Sequence, residues 1–315
     1  MEGAVGAPES DPATRTTLEV ALVRAGSGGR KRIRVNGVPR RASALAGLLR
    51  TVLFAPEEMT LIAGSPGLRR GALDALATER FVAYHHDLAT YTRTLQHRNS
   101  LLRAIREEGA TRAELRFWDE TFLASGGAVL EARRQLLEEL AEPLARAHEE
   151  IAPEEAAAGR LGVAYVTNSP PDEGESPRAA LERRLRETAE KEVWNGSTLV
   201  GPHRDDLAFL LAGRDLSTFA SRGQQRTAIL ALKLAELDLL EALDGRPPLL
   251  LLDDVFSELD PDRRGHLVRR IAALPQSFVT TTTLDDLDPS LREAATTWEV
   301  GRAPDGTALL VGAGR

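Results

Sequence analysis

The last third of the chain alternates short apolar runs with longer stretches that have helical spacing. Leu249 to Leu252 is an uninterrupted apolar run, and Leu207 to Leu211 and Phe278 to Thr280 also have strand character. Helical spacing covers Thr227 to Leu243 and Pro261 to Leu274. Apolar strands that alternate with helices are typical of a parallel sheet covered on both faces. The pattern therefore predicts an α/β region with a parallel sheet.

The first part of the chain begins with residues that show no regular hydrophobic pattern, and the pattern of a β-hairpin follows them. Residues 1–15 are rich in Gly, Pro and Ala and are expected to be a disordered lead-in. Thr16 to Arg24 and Arg30 to Val35 alternate as two paired strands with a turn at Gly26 to Gly29. Asn36-Gly37 is a second turn signal.

The middle of the chain, from about Pro66 to Ala152, has helical spacing. Leu136, Leu140 and Leu144 lie four residues apart, as on one face of a helix. Pro143 lies in this stretch and is expected to kink or divide the helix. The patterns on either side predict strands at Thr51 to Phe54 and Leu161 to Val166, and a helix at Ala179 to Val193.

Composition narrows the classes of function. Of the 315 residues, 42% are hydrophobic and 28% are charged, which is typical of a packed globular protein. The net charge of −7 argues against a basic nucleic-acid coat, so any DNA contact is expected to be a local patch. Aromatic residues make up only 4%, which disfavours a base-stacking platform. The absence of cysteine excludes disulfides and thiolate metal sites and fits a cytoplasmic protein, and no apolar run is long enough to predict a membrane span.

Two carboxylates follow directly after the apolar run in the last third. Asp253 and Asp254 would emerge at the carboxyl end of a central strand, where open α/β sheets bind ligands. Carboxylate oxygens suit Mg²⁺, which proteins hold with one or two carboxylates plus substrate phosphates. The alternative is a strand that simply ends in polar residues. Ser257 lies in the turn that follows, and Asp260 and Pro261 have the pattern of a helix N-cap and first position.

The segment from Ser221 to Gln225 begins the long predicted helix. Ser221 and Gln224 have the spacing of a capping box, which is a purely structural explanation. The same helix N-terminus, with a flexible Gly223, is also able to present N–H groups to a phosphate. Taken alone, the segment favours capping.

A third polar segment, Gly201 to Asp206, contains a lone histidine next to an arginine and two aspartates. His203 in such a turn is more often a hydrogen-bonded structural residue than a catalyst. Arg204 with Asp205 and Asp206 is also explained by a surface ion pair, which contributes little energy. The segment alone does not separate these alternatives.

In their order and spacing, these segments resemble the RecF family of ABC-type ATPases, and the resemblance extends over nearly all the chain from Thr17 onward. Gly201 to Leu207 is similar to a motif of that family, Ser221 to Gln225 to the ABC signature, and Leu249 to Asp254 to the Walker B strand. Ser257 to Asp260 resembles the D-loop. Three upstream segments are also similar to family segments, namely Phe54 to Glu58, Leu68 to Arg70 and Gln96 to Asn99.

The resemblance implies an α/β fold, an ABC-type ATPase head with a mixed sheet and an inserted helical lobe. Lobe I would comprise residues 16–63 and 197–315, and lobe II residues 64–196. Asp253 would hold Mg²⁺ and Asp254 would polarise the attacking water. The ABC signature would contact ATP bound to another subunit, through Ser221, Arg222, Gly223, Gln224 and Gln225. The D-loop would include Ser257 and Asp260, and the switch residue would be Thr281 or Thr282. The family motif that contains His203, Arg204 and Asp205 has no assigned role.

The resemblance also implies a biological role. A RecF-type protein would bind ATP and Mg²⁺, form an ATP-dependent homodimer on gapped duplex DNA, and hydrolyse ATP slowly. It would act with RecR and RecO in DNA replication and recombinational repair, loading RecA at gaps and taking part in SOS induction. Two alternatives are another SMC-like ABC ATPase and a non-catalytic module that binds DNA or RecR. An insertion of about 130 residues is too short for the coiled-coil arm of the first alternative.

One family element is not found in the sequence. A phosphate-binding loop has the pattern Gly-x-x-x-x-Gly-Lys-Ser/Thr, and none of the 315 residues forms it. The chain is therefore expected to begin after the family's first strand, the loop and the following helix. Because that loop neutralises the triphosphate, we expect weak or undetectable binding of Mg-ATP and an inactive isolated chain.

Several arginines are candidates for DNA contact. Arg69 and Arg70 are adjacent, and Arg93 and Arg98 belong to a basic stripe on a predicted helix. Such runs are more often solvated helix faces. The family resemblance favours DNA for these four residues, and phosphate contacts of this kind predict steeply salt-dependent binding.

Overall fold

The computed structural model describes residues 2–5, 15–25, 28–41, 45, 47–107, 109–256, 259–304 and 307–313. The chain divides into two compact units, residues 1–50 and residues 51–315. Ser257 of the predicted D-loop lies outside the described residues.

The first unit is an antiparallel sheet of strands β1 (Glu2–Val5), β2 (Thr16–Ala25), β3 (Gly28–Val35) and β4 (Val38–Arg40), in that order. The predicted pairing of the two strands is confirmed, since Leu18 to Ala25 of β2 pair antiparallel with β3. Of the predicted turn, Gly28 and Gly29 belong to β3, and Gly26 and Ser27 lie outside the described residues. Asn36 and Gly37 make the second turn with φ of 50° and 76°, as a two-residue hairpin loop requires.

The predicted lead-in needs one correction. Glu2–Val5, which we expected to be disordered with the rest of residues 1–15, pairs antiparallel with β2 as β1. An edge strand offers unpaired N–H and C=O groups to any segment that reaches it, and this backbone pairing forms although Glu2 lies opposite the like charge of Glu19. Residues 6–14 lie outside the described part of the chain.

The second unit contains the remaining helices and strands. In chain order they are β5 (Thr51–Phe54), α1 (Pro66–Arg80), α2 (Tyr84–Glu107), α3 (Leu115–Ile151), α4 (Pro153–Ala156), β6 (Leu161–Val166), α5 (Pro177–Asn195), β7 (Asp206–Leu211), β8 (Arg214–Asp215), α6 (Leu216–Phe219), α7 (Arg222–Asp244), β9 (Leu249–Asp253), α8 (Pro261–Ala272), β10 (Ser277–Thr280), α9 (Pro289–Ala294), β11 (Thr297–Arg302) and β12 (Ala308–Ala313).

The predicted parallel sheet is formed by three strands in the order β10-β9-β5. Its buried face includes Val52, Phe54, Leu250 and Leu252, which belong to the main hydrophobic core together with much of α7. Burying these side chains stabilises the fold by about 1.5–3 kcal/mol for each large one. Because the three strands are parallel, their carboxyl ends all lie at one edge of the sheet.

Within the described residues, one face of this sheet is only partly covered. Register pairs Leu53 and Phe278 with Leu251 in one row across the sheet, and Leu53 and Phe278 are 44% and 46% exposed. An apolar run indicates that a strand lies in a sheet, but the run carries no information about what covers each face.

The assignment of Leu207–Leu211 to the parallel sheet is also wrong. Strand β7 pairs antiparallel with β6 and β8 in a separate sheet. Alternate residues of β7, Leu207, Phe209 and Leu211, are buried. The pattern identified the strand correctly, but its partner, β6, lies forty residues earlier and is antiparallel to it.

The helical block is built around α3, an unbroken helix of 37 residues. Pro143 lies inside α3 and does not divide it, because Leu136, Leu140 and Leu144 hold both sides of it in the core. Neighbouring helices pack closely, and a Cβ on Gly127 would lie 2.7 Å from the Cβ of Arg178 on α5. Within the described residues, no helix is both long and apolar enough to cross a membrane.

Candidate functional site

The predicted carboxylate pair lies at the carboxyl end of β9. Asp253 is the last residue of the strand and is exposed, and Asp254 follows with a left-handed φ of 50°. The N–H of Asp254 donates to both the carbonyl oxygen and Oγ1 of Thr280, each at 3.2 Å. The Thr280 hydroxyl in turn donates to Oδ1 of Asp253 at 2.5 Å. A non-glycine residue in this conformation costs about 1–2 kcal/mol, so the turn is one that its neighbours must hold.

The segment after the pair is anchored on the core and then begins α8. Val255, Phe256 and Leu259 are buried. Asp260 is the N-cap of α8, because its side chain accepts from the N–H of Arg263 at 3.0 Å. Burial opposes the charge of Asp260, but hydrogen bonds from Arg263 hold the pKa of this carboxyl below its ordinary value. The capping explanation of Asp260 and Pro261 is therefore confirmed.

The signature segment forms the N-terminus of α7. Ser221 and Gln224 make both hydrogen bonds of a capping box, at 3.2 Å and 3.1 Å. Ser221 and Arg222 are exposed. The side-chain amide of Gln225 is used within the protein, because its Nε2 donates to the carbonyl oxygens of Leu216 and Ala220. Capping thus accounts for the local geometry, while the exposed first turn stays open to an anion.

A buried lysine was missed by the sequence reasoning. Lys233 of α7 is 6% exposed, and its Nζ lies 2.9 Å from Oε1 of Glu58 and 3.2 Å from Oε2 of Glu236. Burial alone would lower the pKa of Lys233, but the two carboxylates raise it. The signal was available, because Lys233 lies on the same helix face as Ile229, Leu230 and Leu237 and interrupts that apolar face.

Lys233 also indicates where the signature lies. Glu58 follows shortly after the carboxyl end of β5, so the middle of α7 lies near the edge that carries Asp253. Ser221, twelve residues before Lys233, lies about 18 Å further along the helix. Within one chain, the structure therefore does not bring Ser221 to the carboxylate pair.

The predicted switch threonines follow β10. Thr281 is committed to its own turn, where its hydroxyl donates to the carbonyl of Thr283 at 2.8 Å. Thr282 is exposed. Thr280, which we had assigned only to the strand, is the threonine that contacts both aspartates. A parallel register of Thr280 with Asp253 explains this, and register was not predictable from the sequence.

The Gly201 to Asp206 motif lies at a junction between helices and the antiparallel sheet. Tyr91 Oη lies 2.6 Å from Nδ1 of His203, and Tyr165 Oη donates to Oδ2 of Asp205 at 2.9 Å. Arg204 donates to the carbonyl of Thr198 at 3.1 Å. Burial lowers the pKa of His203 to about 4 and raises the pKa of Asp205. These contacts support the structural explanation of His203.

Two of the four candidate DNA arginines are buried. Arg69 makes a bidentate ion pair with Asp206, at 2.7 and 2.8 Å, and Arg98 pairs with Asp119 and Glu192. Their side chains are 10% and 3% exposed, so they have little surface to offer a phosphate. The structure corrects the interpretation of these two residues, because the ion pairs account for their charge.

The other two arginines have more accessible side chains. Arg70 is half-buried and donates to the carbonyl of Asp205 at 2.7 Å, while Arg93 is exposed on α2. The DNA-contact hypothesis is therefore carried by Arg70 and Arg93. The described residues contain no cluster of three or more His, Cys, Asp or Glu that would hold a metal ion by itself.

Comparisons with known proteins agree with this geometry. No protein-family model matches the chain. The DNA replication and repair protein RecF of Herpetosiphon aurantiacus is 41% identical over 273 residues, 86% of this chain and 69% of that protein. RecF of Symbiobacterium thermophilum is 39% identical over 300 residues, 93% of this chain and 77% of that protein. The chain belongs to the RecF family of DNA replication and repair proteins.

Solved structures give the same result for the fold. The recombination mediator protein RecF with ATP, from the RecFOR pathway, superimposes with a TM-score of 0.80 at 32% identity, covering 94% of this chain and 76% of that one. A second structure of the same mediator superimposes with a TM-score of 0.79. The chain has the fold of these RecF structures, and the predicted combination of an α/β region with a helical block between its strands is confirmed.

Proposed function

We propose that this chain acts in recombinational DNA repair as a RecF-type DNA-binding protein whose ATP site is shared between two copies. The proposal includes RecR and RecO as partners, RecA loading at gaps, and a part in SOS induction. The observation that carries it is the separation of Asp253-Asp254 from the exposed N-terminus of α7 in a chain of this family. Two half-sites that do not meet within one chain are complete only when a second copy supplies the other half.

The carboxylate pair suits a metal ion. Asp253 is exposed at the strand end, and its hard oxygens are the ligand type that Mg²⁺ prefers. Asp253 would hold the Mg²⁺, which would supply positive charge next to the phosphates. Asp254, held by Thr280 in its left-handed turn, would accept a hydrogen bond from the attacking water and orient it.

The same pair does not suit a triphosphate without further positive groups. Asp253 and Asp254 add negative charge, and the nearby Lys233 is committed to two glutamates. Free N–H groups and the dipole at the N-terminus of α7 are the kind of donors that bind phosphate. In the proposed dimer, Ser221 and Gly223 of one copy would face the nucleotide of the other.

A second candidate function has a specific observation in its favour. None of the 315 residues forms the Gly-x-x-x-x-Gly-Lys-Ser/Thr pattern that cradles phosphates. A chain that binds the nucleotide weakly would still bind DNA or RecR without hydrolysing ATP. This non-catalytic module shares the DNA surface of the first candidate and differs from it only in its response to nucleotide.

One experiment tests the proposal and separates the two candidates. Binding of a gapped duplex is measured by fluorescence anisotropy at 50 and 200 mM salt, with and without Mg-ATP. Phosphate contacts through a few arginines predict a drop of at least about tenfold over this range. Binding that is insensitive to salt, or equal to that of a neutral polymer, would contradict the DNA function. Tightening by Mg-ATP that Ser221→Ala removes supports the shared site, and salt-dependent binding without that response supports the module.

A further inference from the structure

Thr280 is the residue on which both aspartates of the candidate site converge. Its place on β10 puts it in register with Asp253 of the neighbouring parallel strand. Its hydroxyl donates to Oδ1 of Asp253 at 2.5 Å and accepts from the N–H of Asp254 at 3.2 Å. Its carbonyl oxygen accepts from the same N–H at 3.2 Å. One exposed side chain therefore makes a hydrogen bond to each aspartate.

We infer that Thr280 is a positioning residue that fixes the Asp253 carboxylate and the left-handed turn of Asp254 for the proposed Mg²⁺-dependent reaction. The inference rests on the proposed function. A hydroxyl has one proton and two lone pairs, so the two hydrogen bonds use its donor and one acceptor site. Holding one oxygen of Asp253 removes the freedom of that carboxylate to rotate, and a preoriented ligand binds a cation more tightly than a mobile one.

The backbone of Asp254 supplies the second part of the argument. Its φ of 50° is a conformation that non-glycine residues adopt only when neighbouring groups hold them. The N–H of Asp254 has two acceptors, both on Thr280. Of these, the carbonyl belongs to any residue at this position, whereas Oγ1 requires a serine or threonine.

The test compares Thr280→Val, which removes only the hydroxyl, with Thr280→Ser, which keeps it. Thr51→Val is the matched control, because Thr51 is an exposed threonine at the opposite end of the same sheet. Amide hydrogen exchange of Asp254 is measured by TROSY NMR, and Mn²⁺ affinity of each variant by EPR of the free ion. Loss of one hydrogen bond predicts about fivefold faster exchange at Asp254 and about fivefold weaker Mn²⁺ binding in Thr280→Val.

The outcomes are distinct. Wild-type behaviour of Thr280→Ser and Thr51→Val, with both losses in Thr280→Val, supports the inference. Equal losses in Thr280→Ser, or unchanged Mn²⁺ affinity in Thr280→Val, would overturn it, since the first indicates packing and the second a purely structural hydrogen bond. A wild-type chain that binds no Mn²⁺ counts against the proposed function, and the exchange rate at Asp254 still decides whether the Thr280 hydroxyl holds the turn.

Discussion

The chain contains two Asp-Asp pairs at strand ends, and their surroundings differ completely. Asp205 and Asp206 precede β7, where Asp205 is buried against Tyr165 and Asp206 is bound by Arg69. Asp253 and Asp254 lie at the end of β9, where Asp253 is exposed and accepts a hydrogen bond from the neutral hydroxyl of Thr280. The same dipeptide thus serves a junction in one place and a candidate metal site in the other. The structural pair and the candidate metal site have the same residue types, and they differ in whether the carboxylates are bound by buried or charged groups of the same chain.

The junction pair belongs to a larger buried network whose centre is Arg133. This side chain is 2% exposed and donates to Asp74, Tyr84, Tyr165 and the carbonyl of Pro202. The network connects α1, α2 and α3 with β6 and the Gly201 to Asp206 motif. A charge with so many internal partners is structural, and its removal should cost far more than removal of an exposed charge.

The largest expected effect is therefore that of Arg133→Met. The substitution leaves the Asp74 carboxylate without its charged partner, so that the Tyr84 hydroxyl is its remaining donor, and it removes the Arg133 donor from the carbonyl of Pro202. We expect a loss of about 4 kcal/mol in the free energy of unfolding. Urea denaturation followed by circular dichroism measures it. Arg134→Met is the control, because the next residue makes only surface ion pairs with Glu131 and Glu138, which contribute less than about 1 kcal/mol. Equal losses in both variants would show that the network is not structurally special.

The direct comparison of the two pairs comes next. Asp206→Asn removes the charge that balances the buried Arg69, and we expect a loss of about 2 kcal/mol in the free energy of unfolding. Asp253→Asn removes an exposed charge, and we expect a change within about 0.5 kcal/mol. The same urea experiment measures both variants. A larger loss for Asp253→Asn than for Asp206→Asn would reverse the assignment of roles.

The junction should also give the fold a pH dependence through His203. Burial lowers the pKa of His203 to about 4, below the ordinary value of 6.5. Between about pH 4 and pH 6.5, His203 binds a proton in the unfolded chain but not in the folded chain. The free energy of unfolding therefore falls as the pH falls from about 6.5 toward 4. The shift predicts a loss of about 2 kcal/mol from His203 between pH 7.5 and pH 5.

His203→Gln isolates this contribution, because both proteins keep the same carboxylates. The free energy of unfolding is measured by urea denaturation at pH 7.5 and pH 5. We expect the wild-type chain to lose about 2 kcal/mol more than the variant over this range. Parallel pH profiles of the two proteins would contradict the burial of a neutral imidazole in the junction.

Features of the fold and of the candidate site that depend on local sequence were predictable, and features that depend on distant contacts were not. The strands and caps that depend on local pattern, such as Leu249 to Leu252 and the Ser221 capping box, agree with the structure. The position of Asp253 at a strand end followed from that pattern, and the family resemblance added its meaning. What depends on distant partners was not predictable, because neither the antiparallel partner of β7 nor the register of Thr280 with Asp253 leaves a periodic signal.

The arginines illustrate the same limit. Arg93 and Arg98 lie on one helix, and the basic stripe together with the family resemblance gave both of them the same predicted role. Arg98 proves to be buried beside Glu192, whose burial raises the pKa of that carboxyl, while Arg93 is exposed. Charge spacing identifies a basic stripe, but only the position of acidic residues on α3 and α5 decides which members of the stripe are free to meet a partner.

The smallest expected effect tests that last distinction. Arg93→Ala should weaken binding of a gapped duplex by a similar factor for all sequences and reduce the slope of log affinity against log salt by about 1. Arg186→Ala is the control, since Arg186 is an exposed arginine on α5 that pairs with Glu182. Anisotropy titrations at four salt concentrations measure both slopes. An unchanged slope in Arg93→Ala, or the same change in both variants, would remove Arg93 from the DNA surface and leave Arg70 as the remaining candidate of the original four.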